Sequence, residues 1–174
     1  MEISLLTPKC TLVPVRFFDP ASAREALGQV IHLTPEDQVK SVEVPQRDAV
    51  LVYSDPEDGR YSKIITKQDI SGEPEEAKPE MFHILRDLGS CQEYNKILAT
   101  YAEGYLYLAI AQGNSLLLCN VYAAQDFTTA EYYIFLAMKS LQLNPEVSTI
   151  CWRMPIGPEE EMSLYRYFKA VEIL

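Results

Sequence analysis

Three consecutive apolar segments joined by very short turns constrain the fold of this 174-residue chain most strongly. They span residues 95–102, 105–111 and 115–124, and the turns between them are Glu103-Gly104 and Gln112-Gly113-Asn114. Such turns need positive φ and are typical of β-hairpins. Both faces of the middle segment are apolar, so the meander needs cover on both sides. This pattern predicts an α/β protein rather than an exposed antiparallel sheet.

The residues after the meander predict two helix–strand units. Thr128-Thr129-Ala130-Glu131 has the pattern of a capping box and predicts the start of a helix. A strand over residues 148–153, a helix from Gly157 and a strand over residues 170–174 follow. The predicted order for the second half, residues 81–174, is therefore β-β-β-α-β-α-β with two crossovers. That order resembles the ribonuclease H-like unit that is duplicated in the actin-like ATPases.

An acidic segment divides the chain in two. Residues 67–80 contain two prolines, one glycine and one large apolar residue, which predicts a loop or linker. Before it, residues 1–66 have the pattern of a few short strands and one helix that begins at Asp19-Pro20. The most apolar of these strands, residues 48–54, needs neighbours on both sides. We therefore predict an unpaired edge in the first half and self-association, or pairing with another chain, through it.

Charge and hydropathy exclude several classes of function. The 25 acidic and 15 basic residues give a net charge of −10 with no cluster of lysine and arginine, which argues against nucleic-acid binding. No apolar run reaches the roughly 18 to 20 residues that cross a bilayer, so no membrane association is predicted. The first residues lack the pattern of a signal peptide. These features predict a cytoplasmic protein.

The metal-ligating residue types are few and scattered. The four cysteines form no C-x-x-C pair, so neither a zinc site nor a redox site is predicted and no metal ligand is assigned. His32 and His83 both have apolar neighbours, and we interpret them as core residues rather than general bases. The cysteines are Cys10, Cys91, Cys119 and Cys151.

Several short motifs carry a family resemblance. The chain resembles an uncharacterised bacterial family with an actin-like ATPase fold, whose members share a Leu-x-x-x-Asn-x-aromatic strand followed by a helix with a Tyr-Tyr pair. Longer members begin with an additional β-meander, so the resemblance implies an incomplete first half over residues 1–66. The family has no assigned activity to carry over. The matching residues are Leu116-Leu117-Leu118-Cys119-Asn120-Val121-Tyr122, Phe127, Glu131-Tyr132-Tyr133, Leu141-Gln142-Leu143-Asn144-Pro145-Glu146, Thr11-Leu12-Val13-Pro14 and Phe17-Phe18-Asp19.

The nucleotide site of an active actin-like ATPase needs glycine-bearing hairpins around the phosphates and carboxylates that hold magnesium. Here Ala102 stands in the first such turn, where the active ATPases have an aspartate. Glu103 is a possible substitute ligand, but a solvated turn residue is the preferred interpretation. The seven glycines are widely separated, so no G-x-G, Walker A or dinucleotide fingerprint is present. We predict no catalytic residue and no cofactor.

Asn120 is the residue most open to a binding role. Regular alternation places it on the strand face of Leu116, Leu118 and Tyr122, which predicts burial among apolar groups. A buried amide needs hydrogen bonds, and the structural interpretation is that Asn120 holds the strand to the turn over residues 126–128. The alternative is a ligand or partner groove, whose candidate residues are Asn120, Tyr122, Tyr132 and Tyr133.

The function predicted from these patterns is that of a non-catalytic binding or assembly module on a degenerate actin-like fold. Two alternatives stay open at this point: a nucleotide-dependent phosphotransferase or ATPase that uses other residues, and a structural subunit of a larger complex. The predicted partner is a protein or a second copy of the chain.

Overall fold

The protein is described by a computed structural model that covers residues 1–68 and 72–174. Contacts between Cα atoms divide it into two compact units, Met1–Arg86 and Asp87–Leu174. Part of the predicted linker, residues 69–71, lies outside the described residues.

The first unit is built from short strands with two helices. Leu27 of the first helix packs against Val50 and Val52 and forms a small apolar core there. The elements are β1 (Glu2–Leu5), β2 (Cys10–Pro14), α1 (Ala23–Gly28), β3 (Val39–Val44), β4 (Ala49–Ser54), β5 (Lys63–Lys67), β6 (Lys78–Pro79) and α2 (Glu80–Asp87), with 3-10 turns at Val15–Phe17, Pro20–Ser22 and Pro45–Arg47.

Two three-stranded sheets form in this unit. In the first, β1 lies between β5, to which it is antiparallel, and β6, to which it is parallel. In the second, β4 lies between β2 and β3 and is antiparallel to both. The expectation that the strand over residues 48–54 is short of neighbours is therefore wrong. Strand β3, which the sequence analysis missed, supplies the second neighbour. Strand β4 therefore has no unpaired edge through which the chain could associate with another chain.

The end of the predicted linker differs from the structure. Residues Lys78–Pro79 pair with β1, and α2 begins immediately afterwards. His83 on α2 is buried and donates from Nε2 to the carbonyl oxygen of Ile3 at 3.3 Å, while Arg86 donates to the carboxylate of Glu2 at 2.6 Å. These contacts attach α2 to β1. Residues 81–86, which were predicted to open the second half, thus lie in the first unit. His83 is a hydrogen-bonded core residue as predicted, but the same interpretation of His32 is wrong, because His32 is exposed.

The second unit has the predicted order of strands and helices. Its sheet runs β11-β10-β7-β8-β9, with β7, β8 and β9 antiparallel and β10 parallel to both β7 and β11. The prediction of a mixed α/β sheet is confirmed. The elements are β7 (Asn95–Ala102), β8 (Tyr105–Gln112), β9 (Ser115–Ala123), α3 (Phe127–Ser140), β10 (Thr149–Trp152), α4 (Pro158–Tyr165) and β11 (Ala170–Ile173), with 3-10 turns at Leu88–Ser90 and Pro145–Val147.

The core of the second unit follows from the alternation along β8. Leu106, Leu108 and Ile110 point to the face that packs on α3 and α4, together with Ile134 and Trp152. The residues between them are buried as well, so β8 is apolar on both faces, as its sequence predicts. Strand β9 lies at one edge of this sheet, which decides how its side chains are exposed.

Candidate functional site

The turn between β7 and β8 corresponds to the position at which the sequence analysis placed the first phosphate-binding turn. Glu103 and Gly104 have φ values of 50° and 77°, as a tight two-residue hairpin requires. The carbonyl oxygen of Gly104 accepts from the N–H of Ala124 at 2.8 Å, which fixes the turn beside the end of β9. Ala102, the last residue of β7, presents only a methyl group and binds no cation.

A surface pocket of about 530 Å³ opens beside this turn. Two of the residues that line it, Glu103 and Asp126, are acidic, and none of its described lining residues is basic. Asp126 caps α3 and accepts from the N–H of Thr129 at 2.7 Å. Its hydrogen bonds with Thr129 hold the pKa of Asp126 below its usual value, so it stays charged at neutral pH. The pocket therefore repels a phosphate group, and one amide at the helix start is already occupied.

Three of the four predicted groove residues lie together. The ring of Tyr122 on β9 stacks on the ring of Tyr133 on α3, with centroids 4.8 Å apart and an interplanar angle of 16°. Tyr132 meets Tyr133 edge to face at 5.5 Å. Tyrosine rings that pack in this way lose little further freedom when a partner binds. The structure thus brings the three tyrosines, one from β9 and two from α3, into one cluster.

The fourth residue, Asn120, is not buried as the sequence predicted. It is exposed, and its side-chain oxygen accepts from the N–H of Val121 at 2.9 Å rather than from residues 126–128. The reason is its position on β9, which is the edge strand of the sheet. Strand β9 also has a β-bulge, because Leu117 pairs with no residue of β8. The bulge interrupts the regular alternation of side chains by which Leu116 was predicted to share a face with Asn120.

The exposed face of α3 extends the tyrosine cluster. Tyr132 is 61% exposed, and Leu136, one helical turn further on, is 47% exposed. Sequence reasoning missed Leu136, although its spacing of four residues from Tyr132 placed both on the same side of the helix. We call Tyr122, Tyr132, Tyr133 and Leu136 the α3 surface. It is an apolar, largely aromatic surface on the second unit.

The start of α3 also differs from the prediction. Asp126, not Thr128, is the N-cap, so Glu131 lies beyond the first turn and does not close a capping box. Its side chain is directed into a cleft between the N-terminal ends of α3 and α4. Glu131 is only 8% exposed, and its Oε1 accepts no hydrogen bond from any residue that the structure describes.

Cysteines that are distant in sequence meet in the second unit. Cys91 and Cys151 are both buried, and their thiols share a hydrogen bond. That bond, followed by burial, raises the pKa of the Cys151 thiol far above its usual range. Cys151 is therefore protonated at neutral pH, whereas the same hydrogen bond lowers the pKa of the Cys91 thiol. Both thiols are buried, so neither is exposed to a substrate. Across residues 1–68 and 72–174, no group of three or more His, Cys, Asp or Glu side chains is arranged to hold a metal ion.

The first unit contains a buried carboxylate, Asp37, in a dense polar network. Its Oδ2 accepts from Lys9 Nζ at 2.6 Å and from the N–H of Thr34 at 2.7 Å, and its Oδ1 accepts from the hydroxyl of Ser54 at 2.7 Å. Burial alone raises the pKa of Asp37, but these hydrogen bonds outweigh burial and hold it well below its usual range. Because both oxygens are occupied, Asp37 has a structural role.

Comparisons with known proteins support the resemblance that the sequence motifs indicated. Residues 2–171 match the family described as "Protein of unknown function (DUF3822)". No curated protein matches the chain. None of the helices in the described part of the chain is long and apolar enough to cross a membrane.

Two solved structures are similar to the chain. One is a protein of Bacteroides thetaiotaomicron VPI-5482 with an actin-like ATPase fold and unknown function, at a TM-score of 0.73 and 14% identity over 97% of this chain and 66% of that one. The other belongs to a PilM–PilN type IV pilus biogenesis complex, at a TM-score of 0.47 and 14% identity over 99% of this chain and 66% of that one. The first similarity shows the fold, and the second is too low to support an argument. The chain thus spans slightly less than two thirds of the length of each.

Proposed function

The chain belongs to the DUF3822 family of proteins of unknown function and has the actin-like ATPase fold, and on that premise we propose that it is a non-catalytic protein-binding or assembly module. The observation that carries the proposal is the acidic pocket at the β7–β8 turn. A fold related to ATPases would place phosphate groups at such a turn, and here Glu103 and Asp126 line it without a compensating basic residue among those described.

Electrostatics make this pocket unfavourable for a nucleotide. Each carboxylate that lies about 4 Å from a phosphate charge opposes binding by about 1 to 4 kcal/mol, depending on how much water remains between them. An actin-like ATPase offsets the phosphate charge with magnesium held by carboxylates. Ala102 does not provide such a ligand, and Asp126 is engaged at the start of α3. These features support a role without ATP chemistry.

The α3 surface supports the binding part of the proposal. Aromatic residues are enriched at protein interfaces and often carry much of the binding energy. Tyr132 packs edge to face on Tyr133, which in turn stacks on Tyr122, so a partner meets rings that are already in contact. Exposed Leu136 adds an aliphatic contact next to these rings. A partner protein with a complementary apolar groove or helix face is the kind of ligand that such a surface fits.

Affinity capture with matched variants tests this function. Leu136→Ser removes the aliphatic contact from the α3 surface, while Val147→Ser changes a residue of similar type that is 66% exposed elsewhere on the second unit. Proteins that bind the α3 surface should be retained by the wild type and by Val147→Ser, and their recovery should fall about tenfold with Leu136→Ser, corresponding to about 1.4 kcal/mol. Thermal unfolding checks that both variants are folded. Identical sets of captured proteins in all three samples would contradict the proposal.

A further inference from the structure

The cleft between the N-terminal ends of α3 and α4 is separate from the α3 surface and from the β7–β8 turn. It consists of two adjoining pockets of about 220 and 170 Å³, which share Phe127 and Glu160. None of its described lining residues is basic. The first pocket is lined by Phe127, Thr128, Glu131, Glu159, Glu160 and Ser163, and the second by Tyr101, Phe127, Pro155, Ile156, Gly157 and Glu160.

Glu131 distinguishes this cleft from an ordinary acidic surface. Its side chain is more than nine-tenths buried and lines the first pocket, yet no residue in the described part of the chain donates a hydrogen bond to its Oε1. Buried polar atoms are normally hydrogen-bonded to protein groups or to ordered water. Since Asp126 caps α3, the helix makes no use of this carboxylate. A donor on a molecule that occupies the pocket would supply the hydrogen bond that this oxygen lacks.

The surrounding groups define the chemistry of that donor. Glu159 and Glu160 add negative charge to the same pocket, and the carboxylate of Glu160 lies directly against Gly157 at the start of α4. Phe127 lines both pockets, and an aromatic ring attracts a cation that lies over its face. A phosphate or carboxylate ligand is repelled here. A bare metal ion is also disfavoured, because no metal-ligating cluster forms among the described side chains.

We propose that this cleft binds an N–H-donating organic cation of the size of a lysine or arginine side chain, with Glu131 Oε1 as the hydrogen-bond acceptor. A net charge of −10 steers such a cation towards the protein. The cation comes either from a basic segment of another protein or from a free amine. This inference goes beyond the proposed function, because it does not require the α3 surface to bind anything.

The single tryptophan of the chain provides the readout. Trp152 is fully buried, and its ring centroid lies 5.7 Å from that of Phe127, so a ligand that contacts Phe127 should alter its emission. The whole chain is titrated with butylguanidinium and butylammonium chloride, with the peptide acetyl-Gly-Arg-Gly-amide, and with acetyl-Gly-Gln-Gly-amide as the neutral control. We expect a saturable change in emission with the three cations and none with the neutral peptide.

Two matched variants locate the effect. Glu131→Gln keeps the size of the side chain and removes its charge, and it should raise the Kd of each cation at least tenfold. Glu146→Gln removes an exposed carboxylate from the same unit and should leave the Kd within twofold. If Glu131→Gln does not fold, Glu160→Gln makes the same test. Tighter binding of the arginine peptide than of butylguanidinium identifies a basic protein segment as the source, and equal binding identifies a free amine.

The proposal is overturned if no cation gives a saturable change, or if Glu131→Gln and Glu160→Gln both bind the cations as the wild type does. Loss of partner capture in Leu136→Ser bears only on the proposed function. Because Leu136 does not line the cleft, cation binding should be unchanged in that variant. The two ideas can therefore fail separately.

Discussion

Replacing Asp37 by asparagine removes the charge at the centre of the polar network in the first unit. The wild-type carboxylate accepts hydrogen bonds from Lys9, Thr34 and Ser54 at 2.6 to 2.7 Å, and its side chain is fully buried. Asparagine retains one acceptor oxygen and places an amide nitrogen where the other oxygen was. Lys9 then loses its partner, and the remaining bonds become bonds between neutral groups.

The magnitude follows from these three bonds. A hydrogen bond to a charged group contributes about 1.5 to 3 kcal/mol, and one between neutral groups contributes about 0.5 to 1.5 kcal/mol. The difference is about 1 kcal/mol for each bond, so Asp37→Asn should lower the free energy of unfolding by about 3 kcal/mol at pH 7. Asp58 is a matched control, because it pairs with Arg60 on the surface. Asp58→Asn should leave the free energy of unfolding within error of the wild type.

The effect should depend on pH with a definite sign. The pKa of Asp37 is lowered in the folded protein, whereas in the unfolded chain it lies near its ordinary value of about 3.9. The unfolded state therefore binds more protons below about pH 4, and the contribution of Asp37 falls there by about 1.4 kcal/mol per pH unit. The Asp37→Asn variant lacks this component. The difference between variant and wild type should be constant above about pH 5 and shrink below pH 4.

Urea denaturation followed by circular dichroism measures these free energies across the pH range. A loss below about 1 kcal/mol at pH 7, with Asp58→Asn equally affected, would show that the network contributes little. Wild-type and Asp37→Asn stabilities that fall in parallel below pH 4 would refute the assignment of the lowered pKa to this carboxylate.

Two further predictions concern the second unit. Asn120→Ala should change the free energy of unfolding by less than about 0.5 kcal/mol, because Asn120 is exposed and its side chain bonds only to the adjacent N–H. Capture of a partner by the predicted groove of Asn120, Tyr122, Tyr132 and Tyr133 should weaken. A larger loss of stability with unchanged capture would favour the structural role instead. Ellman's reagent should leave Cys91 and Cys151 unmodified in the native protein and modify both in guanidinium chloride, since both thiols are buried and the pKa of Cys151 is raised. Peptide mapping assigns the modified thiols, and rapid labelling of Cys151 in the native protein would contradict this.

Local signals made the second unit predictable from its sequence. The turns at Gly104 and Gly113 need positive φ, and both residues have it, so the positions of β7, β8 and β9 follow almost to the residue. The strand β3 was missed because only one of its six residues is buried and its partner, β4, lies across a turn. Its apolar residues, Val39, Val42 and Val44, do not alternate regularly with polar ones, so the local signal for a strand is weak.

The candidate site was less predictable because it depends on contacts between distant segments. Which strand lies at the edge decides that Asn120 is exposed, and sequence alone does not state the strand order. The role of Glu131 depends on whether Asp126 or Thr128 caps α3, since both residue types are good caps. The meeting of Cys91 with Cys151 likewise results from tertiary packing.

Thermal unfolding in the presence of millimolar ATP and magnesium tests whether the protein binds a nucleotide. A ligand present at 100 times its Kd stabilises the folded state by about 2.7 kcal/mol, which raises Tm by roughly 5 to 10 °C in a chain of this size. Because the pocket at Glu103 and Asp126 opposes phosphate, we predict that Tm is unchanged and that no phosphate is released. An upward shift of several degrees with ATP and magnesium, lost when either is omitted, would show that the protein binds the nucleotide.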